Sequence, residues 1–204
     1  MEVKVVNCDS SMFSSNADLM LTDPPYDMDG KKLSSIINRY NVEHLILLTT
    51  MRQLLDFLNA SAWELSFDFV IDAVMPKQSK QIRQPNYTHQ TGVYLKKGKS
   101  IFNRKLRERS DVFTKGYWPT ILRAPRENLQ EHGMAKNLNI ITDILGSFEA
   151  KSVVDPFGGI GTTALAAHEL GFECTIIEKE KPYCDQIIKN LKFVGAHINY
   201  IEIN

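Results

Sequence analysis

Lys151-Ser152-Val153-Val154-Asp155-Pro156-Phe157-Gly158-Gly159-Ile160-Gly161-Thr162-Thr163 passes from a β-branched run through a glycine-rich turn into a helix. Residues 151–154 read as a short buried strand, and residues 162–170 as a helix. Between them the glycines at 158, 159 and 161 let a ligand approach backbone amides. The next strand, 174–177, closes at Glu178, 20 residues after Gly158. At that spacing an acid meets the hydroxyls of a cofactor ribose. Strand, glycine turn, helix and acid together indicate an α/β domain with a cofactor cradle at a strand tip.

Working outward toward the N-terminus, Asp23-Pro24-Pro25-Tyr26 follows the apolar run 17–22. That run reads as a strand, and two prolines cannot continue a ladder, so the tetrapeptide sits at a strand's carboxyl end. Open α/β sheets hold their ligands at such tips. There a carboxylate, the Pro24 carbonyl and an aromatic face converge, a set that fits a planar ring bearing an amino group. Asp23 and the Pro24 carbonyl can accept both amino hydrogens, drawing the nitrogen lone pair out of conjugation, while Tyr26 stacks. A plain Pro-Pro turn with a capping Asp is the alternative use of the same residues.

With both motifs in view, the chain resembles the amino-methyltransferases that use S-adenosyl-L-methionine to methylate the exocyclic nitrogen of adenine, or less often cytosine, in DNA. The tetrapeptide precedes the glycine loop, as in the permuted subgroup called beta, and the resemblance runs from about Cys8 to Tyr183. It implies a catalytic role for Asp23, Pro24, Pro25 and Tyr26. It implies cofactor contacts from Asp23 again, from Asp155, Phe157, Gly158, Gly159, Gly161, Thr162 and Thr163, and from Glu178 at the ribose. Asn7-Cys8-Asp9 resembles the segment that reads the cofactor's adenine, with Cys8 and Asp9 as its contacts; a strand-end turn is the other reading. The segment His132-Gly133-Met134-Ala135-Lys136 lies where relatives carry His-Pro-x-x-Lys-Pro, so Lys136 is expected near the methionine carboxylate, although both prolines are missing. A second departure is Gln90, near where relatives often carry a Glu. No metal is implied: His89 and His132 have no second ligand at a suitable spacing.

The charge distribution bears on the substrate. The 24 basic and 24 acidic residues cancel overall, yet 13 basic and only two acidic residues, Glu108 and Asp111, lie within 76–126. A basic block in an otherwise acidic chain is the footprint of a phosphate-binding surface. Its place between the two motifs is where the resemblance puts a target-recognition insertion for double-stranded DNA. Tyr87, Tyr94, Phe102, Phe113, Tyr117 and Trp118 are interleaved with it as candidate stacking residues. A solvated insertion is the bland alternative. Adenine is expected over cytosine because Asp at the first motif position resembles the adenine enzymes. An RNA or protein-glutamine methyltransferase, or an inactive DNA-binding relic of the fold, stays open at this point.

A chain of 204 residues, 43 % hydrophobic, supports a single domain over 1–204 with one sizeable core. No signal peptide and no apolar run near the roughly 20 residues needed to span a bilayer appears, so a cytoplasmic protein of a bacterial or phage-infected cell is expected. Cys8, Cys174 and Cys184 have no metal-site spacing and read as reduced structural thiols. Homodimerisation is implied only by analogy with relatives that have small recognition segments. Strands are expected at 2–6, 17–21, 44–49, 65–74, 92–98 and 196–203, besides 151–154 and 174–177. Helices are expected at 32–40, 51–60, 137–148, 162–170 and 181–193. The fold class is therefore a three-layer Rossmann-like α/β sandwich. Its sheet is mostly parallel, with an antiparallel edge hairpin from 65–98 and a small basic flap over 100–126.

Overall fold

The computed structural model describes residues 2–77, 87–107, 118–123 and 137–203. In chain order the elements are β1 (Glu2–Asn7), β2 (Leu19–Thr22), α1 (Gly30–Ile37), β3 (His44–Thr49), α2 (Met51–Asn59), β4 (Glu64–Lys77), β5 (Tyr87–Lys96) and β6 (Ile121–Leu122). There follow α3 (Leu138–Leu145), β7 (Ser152–Asp155), α4 (Thr162–Leu170), β8 (Glu173–Glu178), α5 (Lys181–Phe193) and β9 (His197–Glu202). The sheet runs β6-β4-β5-β3-β2-β7-β8-β1-β9. Only β5 is antiparallel to its neighbours, β3 and β4.

Alternation along each strand divides the interior into two cores, as period-two side-chain geometry requires. Val3, Leu19, Leu21, Ile46, Val153 and Ile176 face a core closed by α3, α4 and α5. Val6, Met20, Leu45, Leu47, Val154 and Ile177 face the other, closed by α1 and α2. Buried on both faces, β3 is a continuous apolar run, the pattern of a central strand. The expected three-layer α/β sandwich with a mostly parallel sheet is the observed fold.

Several details differ from expectation. Asp29 accepts from the amides of Lys31 and Lys32, so α1 begins at Gly30 and ends at Ile37 rather than spanning 32–40. On α2 the sequence suggests an inner face of Leu54, Leu55 and Leu58, whereas the buried face is Gln53, Leu54 and Phe57, with Leu55 pointing outward. The hairpin β4/β5 is not the sheet's edge. Ile121 and Leu122 pair in parallel with Val70 and Ile71, so part of the expected basic flap is woven into the sheet as β6.

Three of the candidate stacking residues in the basic block also have structural places. Tyr94 is fully buried, and Phe102 and Trp118 pack with Phe67, Phe69 and Phe148 in one aromatic cluster. Edge-to-face ring packing gives Tyr94 a core role, with Phe102 and Trp118 partly buried against it. Phe113 and Tyr117 lie outside the described residues.

Candidate active site

β2, β7, β8 and β1 are consecutive, mutually parallel strands, so their carboxyl ends share one edge of the sheet. This adjacency brings Asp23, the glycine loop, Glu178 and Asn7-Cys8-Asp9 together from opposite ends of the chain. Continuing β2, Asp23 is half-buried, Pro24 is buried, and Tyr26 leaves 43 % of its surface exposed. Burial, together with the negative charge and hydrogen bond of Asp23, raises the Tyr26 hydroxyl above the ordinary phenol range. The ring is open to solvent while the hydroxyl end is tucked against the carboxylate.

The loop after Asp23 is held from α2. The Gln53 amide donates to the carbonyls of Pro25 (2.8 Å) and Met28 (3.1 Å), and the Thr49 hydroxyl donates to Gln53 Oε1 at 2.8 Å. A second amide reaches the motif from β5. Gln90 Nε2 donates to Asp23 Oδ1 and to the Tyr26 hydroxyl, each at 2.7 Å.

Asp155 ends β7 and is 4 % exposed. Its Oδ1 accepts from the Thr22 hydroxyl (2.9 Å) and the Phe157 amide (3.0 Å), and its Oδ2 from the Thr163 hydroxyl (2.6 Å). Burial pushes its carboxyl up to about 6 against the pull of these donors. Asp155 and Thr163, both candidate cofactor residues, hydrogen-bond each other, and through Thr22 and Phe157 Asp155 shapes the loop and ties it to β2.

Within the loop, Gly158 donates to the Ile177 carbonyl at 2.8 Å, and a Cβ there would lie 2.4 Å from Ile176 Cγ1. Gly159 has φ +52°, and a Cβ would meet open space. Its amide donates to Glu178 Oε2 at 2.8 Å, while the Glu180 amide donates to Oε1 at 2.7 Å. Burial raises the Glu178 carboxyl, and these amides oppose the shift. Phe157 and Thr162 are half-buried at the loop's two ends, and Gly161, at the N-cap of α4, offers no side-chain cap.

The tip of β1 is fixed to that of β8. Asn7 Nδ2 donates to the carbonyls of Glu178 and Lys179, each at 2.9 Å, and the Cys8 amide donates to Glu178 O at 3.2 Å. The Cys8 thiol is buried, and burial raises it, so it stays protonated. Asp9 accepts from the Ser11 hydroxyl and amide, which lower its carboxyl. Lys136 and His132 lie outside the described residues, and His89 is exposed.

Gln53, Thr22 and Gln90 thus belong to the site alongside the motif residues. A polar side chain at an inward position of an otherwise apolar helix face was the available signal for Gln53. For Gln90 the signal was its departure from the family pattern, whose meaning only the fold reveals.

A family model described as a DNA methylase of the N6/N4 type matches residues 67–189. No curated protein sequence matches this chain. Among solved structures, M1.HpyAVI in complex with SAM superposes with TM-score 0.68 at 22 % identity, covering 93 % of this chain and 100 % of that one. TTHA0409 of Thermus thermophilus, complexed with S-adenosyl-L-methionine, gives 0.68 at 17 % identity over 98 % of each chain. The cytosine-N4-specific PvuII DNA methyltransferase gives 0.63 at 15 %, covering 89 % of this chain and 87 % of that one. These likenesses establish the fold. Because the family model spans more than half of the sequence, the chain belongs to the N6/N4 DNA methylases, the amino-methyltransferases of DNA.

Proposed function

We propose that the protein transfers a methyl group from S-adenosyl-L-methionine to the exocyclic amino group of adenine in double-stranded DNA. The observation that carries this reading is the juxtaposition, at adjacent strand tips, of Asp23-Pro24-Pro25-Tyr26 and the glycine loop, joined by the Thr22–Asp155 hydrogen bond. The residues present fit the cofactor. Gly159 leaves open space where any side chain would stand, and Glu178, with lone pairs beyond those its two amides use, lies beside it for the ribose hydroxyls. When bound, the cofactor supplies an electrophilic methyl group on a sulfonium.

The protein's residues do the rest by placement. A base inside a duplex cannot reach Tyr26, so the target nucleotide is flipped out of the stack. The exposed Tyr26 ring stacks on it, and Asp23 accepts a hydrogen bond from its amine. This would turn the nitrogen lone pair toward the sulfonium methyl of a bound cofactor, whose C–S bond would break to a neutral thioether as the N–C bond forms, the extra proton then passing to solvent. The cysteine thiols take no part: all three are buried.

Asp at position 23 supports adenine, by resemblance to the adenine enzymes. Cytosine N4 is the second reading, favoured by the shared fold of the PvuII enzyme. The basic block of 76–126 is the proposed DNA-binding segment. Within it, Lys96 pairs with Glu64, Arg123 with Asp72, and Lys97 lies over the Trp63 ring. Phosphate contacts are accordingly assigned to other cations of the block.

Labelled-methyl transfer to unmethylated double-stranded DNA tests the reading. Asp23→Ala is expected to lower turnover at least about 100-fold, the scale of removing one electrostatic contact to the reacting group. Full turnover in that variant would refute the site.

A further inference from the structure

We infer that Gln90 is a positioning residue that holds the Asp23 carboxylate and the Tyr26 hydroxyl in their reactive arrangement, an inference that rests on the catalytic reading of Asp23 given above. Gln90 sits on β5, the one antiparallel strand. In register it is one residue past the final β3–β5 pair, Thr49 with Thr91, so it projects beyond the end of β3 toward the tip of β2. Its side chain is buried, 8 % exposed, and its Nε2 contacts both Asp23 Oδ1 and the Tyr26 hydroxyl at 2.7 Å.

The chemistry requires the nitrogen, not the oxygen, to face the pair, because an amide oxygen against a carboxylate would repel it. A planar NH2 carries two hydrogens in a fixed fork, so it sets the separation of two acceptors at once. Tyr26 in turn hydrogen-bonds Asp23, closing a three-membered ring of contacts. The donor is neutral. It orients the carboxylate without adding charge beside Asp155, which already feels the charge of Asp23.

The test compares the full-length wild type, Gln90→Met, Gln90→Glu and Asp23→Ala in methyl transfer from labelled S-adenosyl-L-methionine to unmethylated double-stranded DNA. Gln90→Met keeps the length and loses both donors. It is expected to lower kcat about 10- to 100-fold while KM for S-adenosyl-L-methionine changes less than about twofold, the size of a lost charge-assisted hydrogen bond. Gln90→Glu is nearly isosteric, so a packing defect in the Met variant would leave it informative. The titratable groups facing the introduced carboxyl are Asp23 and Tyr26, with Asp155 behind them. Their negative or neutral character raises its pKa. Below that pKa its O–H donates to Asp23, so activity should recover several-fold as pH falls from about 8 to about 6, which neither wild type nor Gln90→Met should show.

A Met variant with near-normal kcat, or a Glu variant without acid recovery, overturns the inference while leaving the catalytic reading intact if Asp23→Ala is inactive. An Asp23→Ala enzyme as active as wild type overturns both.

Discussion

Asp155 is the residue on which the site's two halves depend. One buried carboxylate takes the Thr22 hydroxyl from β2, and the Phe157 amide and Thr163 hydroxyl from the glycine loop. Its carboxyl is pushed from 3.8 up to about 6 by burial. Between those values the folded state binds more protons than the unfolded chain, so the stability this group contributes is present below about pH 4 and lost as pH rises through about 6. A shift of two units corresponds to roughly 3 kcal/mol. Asp155→Asn does not titrate. The stability of wild type relative to the variant should therefore fall by an amount of that order between pH 4 and 7, read by urea unfolding; a pH-independent difference would contradict this account. At Tyr26 the ring and the hydroxyl separate by substitution. Tyr26→Phe keeps the stacking face and should lose several-fold in kcat, whereas Tyr26→Ala should lose about 10- to 100-fold in kcat/KM, the worth of base stacking.

At the scale of elements, loop geometry sets what can be changed. Gly161 stands at φ +92° with Ile187 Cγ1 2.9 Å from where a Cβ would be, so Gly161→Ala should destabilise the fold by about 1–3 kcal/mol, measurable by thermal melting. Gln53→Leu fills the same buried position with an apolar side chain and releases the carbonyls of Pro25 and Met28. It is expected to lower kcat more than it lowers the melting temperature. The long elements were legible in the sequence because one pattern serves both burial and local structure: β3, α4 and α5 occur at the expected residues. β6 was not legible. Two residues have no period, and only pairing with Val70 and Ile71 makes them a strand. The inward turn of Phe57 over Leu55 was hidden by three leucines that suggested another face. In the site, the motif residues stood out as local strings. Gln90 and Gln53 did not, because each acts across 67 and 28 residues of chain through the fold.

For the whole molecule, a chain of zero net charge carries a basic block, residues 76–126, within an otherwise acidic sequence. If the block binds phosphates, DNA affinity should fall steeply with salt, by about 0.9 in the logarithmic slope for each phosphate contacted. Replacing Lys80, Arg83, Arg109 and Lys115 by Gln should flatten that slope and leave cofactor affinity unchanged. An unaltered slope would remove the block from the interface. Among the described residues no helix is long and apolar enough to cross a membrane. Methyl transfer to the amino group of adenine in DNA is the reaction proposed for this site. Its most direct test is nucleoside digestion and mass analysis of unmethylated double-stranded DNA incubated with the protein and S-adenosyl-L-methionine. N6-methyladenine, absent when Asp23→Ala replaces the wild type, is the predicted result; N4-methylcytosine, or unmodified DNA from a protein that binds the cofactor, would contradict it.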